Sequence, residues 1–214
     1  MIAEHFCREI DARIGHDVLI LPTVSIACSR HHLDFGGTLT VRHETFIEYI
    51  KEILDSVAAQ GFRNLVLFNS HGGNQAAGNV VVESWGMSNP ECRIAMLTWW
   101  RTASASLLEI TETGPGGIGH AGEFETSLMM LIAPELVRSE EIAKGGNIPT
   151  FSWAESDMIR GAGGLFHRST RKMTSNGAFG DPTAASVEKG RRITEAVITE
   201  LQKMLGDLRS APLD

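Results

Sequence analysis

The sequence predicts an α/β protein, a three-layer α/β/α sandwich with a mostly parallel central sheet. Three observations lead there. Short continuous apolar runs, Asp17 to Pro22 (DVLILP), Arg63 to Phe68 (RNLVLF) and Arg93 to Trp99 (RIAMLTW), have the length and composition of strands buried on both faces. Amphipathic stretches alternate with these runs, as helices do when they cover both sides of a parallel sheet. The composition also fits, because 43% hydrophobic residues with only 7% aromatics and 22 glycines suits Val, Ile and Leu strands joined by glycine-rich turns.

Taken in order, Met1 to Ile14 sets Ile2, Phe6, Ile10 and Ile14 on one face of a helix, with Glu4, Arg8, Asp11 and Arg13 opposite, and Gly15 closes it. The first predicted strand, Asp17 to Pro22, leads into a polar glycine-rich connection, Ser29 to Thr38. A second amphipathic helix covers Glu44 to Ala59 and ends at Gly61. The RNLVLF strand runs directly into Asn69-Ser70-His71-Gly72-Gly73-Asn74, followed by a helix to Trp85 and the RIAMLTW strand. Ser104 to Gly119 is less regular. Gly122 to Ile132 is helical and stopped by Pro134, and Ser186 to Leu208 is a closing amphipathic helix. Between them, Ala143 to Pro182 is rich in Gly, Ser and Thr; so long a stretch inside a folded chain is expected to be partly ordered and to form a site or an interface. No repeat or linker divides the chain, so one domain over 1–214 is expected.

Composition excludes several function classes. A net charge of −7 argues against a nucleic-acid binder, which needs a basic face. No apolar stretch reaches the roughly 18 residues of a membrane span, and the N-terminus has neither the basic nor the apolar region of a signal peptide. The three cysteines (Cys7, Cys28, Cys92) suit reduced thiols better than a disulfide framework. A soluble cytoplasmic α/β domain is the expectation, with no nucleic acid and no membrane as partner.

Three polar clusters follow strands, where ligands bind in open parallel sheets. In Asn69-Ser70-His71-Gly72-Gly73-Asn74, glycines allow a sharp turn that exposes an imidazole; His71 is a metal ligand or general base, or else a cap of the next helix. In Gly119-His120-Ala121-Gly122-Glu123-Phe124-Glu125-Thr126-Ser127, a histidine precedes two carboxylates at a helix N-terminus, which favours anions. Glu123 and Glu125 diverge by about 200° on a helix, so only one faces a given site; a capping box with solvated acids is the plainer reading. In Ser29-Arg30-His31-His32, adjacent histidines in extended chain point apart, so His31 and His32 are not expected to share one metal, and His32 is the better candidate while His31 packs. His5, His16, His43 and His167 are read as structural or solvated. Trp99 and Trp100 end a strand; one of them as a lid over a flat substrate is weighed against core packing. Phosphate-loop, nucleophile-elbow, HExxH, CxxC and dinucleotide-binding patterns are absent.

Taken together, LPTVSIACSRHHLDFGGTLTV, NLVLFNSHGGN, GHAGEFETSLMMLIAPELV and SNGAFGDPTAASVEKGRR resemble ordered segments of the creatininase family of metal-dependent amidohydrolases. The resemblance implies a three-layer fold, a homohexamer, and a site for two divalent ions per subunit at the carboxyl edge of the sheet; His and carboxylate ligands suit Zn, Mn or Fe. It implies hydrolysis of a C–N bond in a small cyclic amide or formamide, with His71 and Glu125 as metal ligands and His120 moving a proton near the scissile bond. Glu123 is the companion catalytic carboxylate, and His32, Trp99, Trp100 and Asn74 are the candidate substrate contacts. Gly73 stands where the family loop carries a ligand Glu. The family's first strand ends in a motif like GSxEQHGPHLPxxTD, which supplies a Glu, a His and a bridging Asp, and MIAEHFCREIDARIG resembles the segment after it. The chain is therefore expected to be N-terminally truncated relative to the family, without that strand and three usual ligands. Two other readings stand beside the amidohydrolase: a non-catalytic subunit that keeps the family's oligomer surfaces, and a peptide-trimming metallopeptidase of the same family.

Overall fold

The computed structural model describes residues 1–146, 148 and 151–212. Its order is α1 (Ile2–Arg13), a tight 3₁₀ turn Arg30–His32, α2 (His43–Ala59), β1 (Asn64–Asn69), α3 (Gln75–Ser88), β2 (Arg93–Thr98), α4 (Trp99–Thr102), α5 (Ser104–Ile110), α6 (Glu123–Ile132), α7 (Thr170–Met173) and α8 (Val187–Ser210). β1 and β2 pair in parallel, with Asn64 opposite Arg93 and Asn69 opposite Thr98. Parallel neighbours need a long crossover, and α3 supplies it.

Side chains alternate across the two strands, and the helices take opposite faces accordingly. Leu65, Leu67 and Ile94 pack with Phe46, Ile50 and Leu54 of α2 and Val81 and Trp85 of α3. Phe68 and Leu97 point the other way, toward Phe6 and Ile10 of α1, Trp99, Leu107, Phe124 and Leu128, and Ile193, Val197 and Leu201 of α8. That is the expected arrangement of helices on both sides of a parallel sheet. Helix spacing predicted the faces well: Phe6 and Ile10 are buried within α1, and Ser186 accepts a hydrogen bond from the backbone N–H of Lys189 to cap α8. Close packing of α6 on α8 depends on Gly190, where a Cβ would stand 2.5 Å from the Ser127 carbonyl oxygen.

Asp17 to Pro22 corrects the sequence reading. It is not a strand among the described residues, and Leu19 (68%), Ile20 (38%) and Leu21 (45%) are exposed. The physical reason is pairing: an apolar run becomes a strand only beside a backbone that accepts its hydrogen bonds, and residues 17–24 make no backbone hydrogen bond among the described residues. Together with the Leu65–Asn69 stretch of β1, and with side chains of α1, α2 and α8, this segment lines an apolar cleft of about 660 Å³. Ser104 to Gly119, expected to be irregular, begins with α5. The glycine-rich stretch 143–182 is partly ordered, with the short turn Ser152–Ala154 and α7; residues 147, 149 and 150 of it lie outside the described residues. Among the described residues, no helix is long and apolar enough to cross a membrane.

Candidate metal centre

The site begins where β1 ends. Asn69 is buried, and its side-chain oxygen accepts from the His71 N–H (3.1 Å) and from Asn74 Nδ2 (3.3 Å), while its own Nδ2 donates to Thr98 Oγ1 (3.3 Å). These bonds fold the SHGGN loop back over the strand end. Asn74 then reaches across to Cys28, whose backbone N–H donates to Asn74 Oδ1 at 3.0 Å. Asn74, a candidate substrate contact by sequence, thus braces two loops. At Gly73 a Cβ would lie 1.9 Å from the Cys28 carbonyl oxygen and 2.7 Å from both His31 Cε1 and His71 Nε2. Only glycine lets the two loops approach so closely.

Three histidines converge there. One ring nitrogen each from His31, His32 and His71 lie within 4.8 Å of one another. The His31 and His71 rings stack with centroids 5.4 Å apart, His31 and His32 stand 4.1 Å apart, and His32 meets His120 at 4.2 Å. The expectation that His31 and His32 diverge is corrected. It assumed extended chain, but Arg30–His32 is a 3₁₀ turn, which sets neighbouring side chains about 120° apart rather than on opposite faces. His31 is the residue the sequence reading missed; its signal was the short turn-forming stretch before Gly36-Gly37, which makes an extended conformation a poor assumption.

Burial and neighbouring charge favour the neutral form of His31, His32 and His120. Burial, followed by the charges of His32, His71, His120 and His167, pushes His31 down to about 4. His32 is also held at about 4 by burial and then by His120 and His71. Burial and the nearby His71 lower His120 as well. Neutral imidazoles keep the lone pairs that metal binding requires.

The two glutamates of α6 separate as helix geometry demands. Glu125 accepts from the Ala121 N–H (2.6 Å) and sits 3.6 Å from His120 Nδ1. Burial raises its pKa, against the opposing pulls of the Ala121 N–H and His71. Glu123 turns away from the histidines, and its expected catalytic role is corrected. It is fully buried and pairs with Lys189 Nζ of α8 at 2.5 Å. It also accepts from Thr111 Oγ1 (2.7 Å) and from the N–H groups of Glu112 (2.9 Å) and Thr113 (3.0 Å). Burial alone would raise its pKa, but Lys189, Thr113, Glu112 and Thr111 together hold it below the usual carboxylate range.

Trp99 and Trp100 are 0% and 7% exposed and pack edge to face, with Trp99 against Phe6 and Phe124. Core packing, rather than a lid, is where the structure puts both rings. His5 bonds Thr194 Oγ1 and His16 bonds Asp11, in line with structural roles.

The donor set fits a divalent ion. Three imidazoles, from His31, His32 and His71, make the donor composition of a catalytic zinc-type centre, which holds three protein ligands and leaves a position open. Among the described residues, His31, His32 and His71 are the one such group of three.

Comparison with known proteins identifies the family and the fold. The chain is 31% identical over 207 residues to the mycofactocin precursor peptide peptidase of Mycobacterium tuberculosis, covering 93% of this chain and 73% of that one. Its fold matches a putative creatinine amidohydrolase from Bacteroides fragilis with a TM-score of 0.82 and 26% identity, over 100% of this chain and 81% of that chain. A structure described as manganese creatininase matches with a TM-score of 0.79 at 21% identity, over 98% and 82%. The model of the creatininase family, described as creatinine amidohydrolase, matches residues 1–205, and the chain belongs to that family of hydrolases.

Proposed function

We propose that this protein is a metal-dependent amidohydrolase that cleaves a C–N bond of a small cyclic amide or formamide. The observation that carries the reading is the convergence of His31, His32 and His71, each offering a ring nitrogen within 4.8 Å of the others, at the carboxyl end of β1. His31, His32 and His71 would supply the ring-nitrogen ligands, and Glu125 of α6 lies outside that trio, beside His120. A divalent ion held there would polarise the substrate carbonyl and lower the pKa of water. His120, neutral at physiological pH and 3.6 Å from Glu125, is placed to take a proton and deliver it to the leaving nitrogen. Glu125 orients His120 through that contact. The glycine-rich stretch carries α7, whose Thr170 Oγ1 reaches His32 Nδ1 at 2.8 Å.

The test is metal content. Mass spectrometry of the purified protein should find bound divalent ion, and His71→Ala should lose most of it along with amide hydrolysis. Unchanged metal content in that variant would sink the assignment. A second reading has its own support: a relative at 31% identity is a peptidase, and peptide cleavage uses the same C–N chemistry. Parallel assays with creatinine, N-formyl amides and a short peptide separate the two. A chain that binds no metal and turns over none of these fits a non-catalytic subunit.

A further inference from the structure

Outside the ligands themselves, one buried polar group aims at the cluster. Thr170, the first residue of α7, is 2% exposed, and its Oγ1 lies 2.8 Å from His32 Nδ1. Among the described residues neither of these two side chains makes any other hydrogen bond. We infer that Thr170 is a positioning residue: it accepts the Nδ1 proton of His32 and so fixes the tautomer whose free lone pair sits on Nε2, ready for a metal. This inference rests on the metal-centre reading above.

Two features make the contact more than a chance approach. The backbone of His32 is already pinned, since its carbonyl accepts from the Phe35 N–H (2.9 Å) and from Thr38 Oγ1 (3.0 Å). With the backbone fixed, ring rotation and proton placement remain to be set, and Thr170 sets both. The neighbouring Arg171 docks α7 on the same loop, with Nη2 donating to the Asp34 carbonyl (3.3 Å) and its guanidinium 4.2 Å over the Phe35 ring. A hydroxyl this buried needs a partner, and an imidazole ligand binds better when its second nitrogen is held. The helix that carries Thr170 lies within the glycine-rich stretch, so that stretch is coupled to the strength of the metal centre and not only to substrate access.

The experiment compares wild type, Thr170→Val and Thr170→Ser by titration with zinc against a competing chelator, and reads the His32 tautomer by nitrogen-15 NMR on metal-free protein. Valine keeps the volume and removes the hydroxyl, and zinc affinity should fall roughly 10–100-fold. The Nδ1–H tautomer of His32 should lose its dominance, while serine restores both. In a His32→Ala background, Thr170→Val should change affinity no further; a purely structural role would give the same loss again. Wild-type affinity and an unchanged tautomer in Thr170→Val would overturn the inference. Should wild type itself bind no zinc, the metal-centre reading fails, and the tautomer measurement still decides the Thr170–His32 assignment.

Discussion

Glu123 and Glu125 stand two residues apart in a motif that reads as one unit, yet they do opposite things. A helix sends them to different sides, and what lies on each side decides their roles. Glu123 meets Lys189, itself 3% exposed, and the pair is buried with its hydrogen bonds satisfied. Removing one charge from such a pair leaves the other uncompensated, at a cost of about 3–5 kcal/mol. Glu123→Gln should lie near 3 kcal/mol of lost stability in urea unfolding, because Glu112 at 2.9 Å still partners Lys189. Its folded-state pKa lies below the unfolded value of 4.5, so its contribution is in full above that pH and is lost as pH falls through the folded value. The Gln variant should therefore show a weaker acid dependence than wild type between neutral pH and the acid limb. The motif was legible as a candidate site in the sequence; which carboxylate faces the histidines was not, because that depends on a lysine 66 positions away.

The elements followed the hydrophobic period closely, since helix faces are a property of nearby residues. α1 illustrates which forces matter. Phe6 is fully buried against Phe68 and Trp99, whereas Arg13 pairs with Glu195 of α8 at 2.6 Å in the open. Phe6→Ala should cost about 3–5 kcal/mol, and Arg13→Ala far less, because an exposed ion pair is screened by water. Thermal and urea unfolding of the two variants check the ranking, and a larger loss at Arg13 would contradict it. The turn Arg30–His32 is where element-level reading failed. Its residues carry no period, and its shape is imposed from outside by the Cys28–Asn74 bond, the close approach at Gly73 and the dock of α7.

At the scale of the molecule, the segment 17–22 has a strand's composition without a strand's partner among the described residues, and it borders the cleft beside β1. Its amides should exchange with solvent far faster than those of β2, which are held in the ladder and under helices. Hydrogen exchange read by mass spectrometry checks this, and protection at 17–22 equal to that of β2 would contradict the described arrangement. By itself the sequence determined the α/β class, the positions of most helices and two parallel strands, and it offered His71, His120 and Glu125 as candidates at strand-end loops, because periodicity, caps and such loops are encoded within a few residues. Tertiary structure alone decided that His31 joins His32 and His71, that Glu123 belongs to the core with Lys189, that both tryptophans are packed away, and that Asp17 to Pro22 stays unpaired among the described residues. Each of those outcomes depends on a contact between residues far apart in the chain, and a local pattern specifies only what a residue is able to do, whereas the neighbour that folding brings to it fixes what it does.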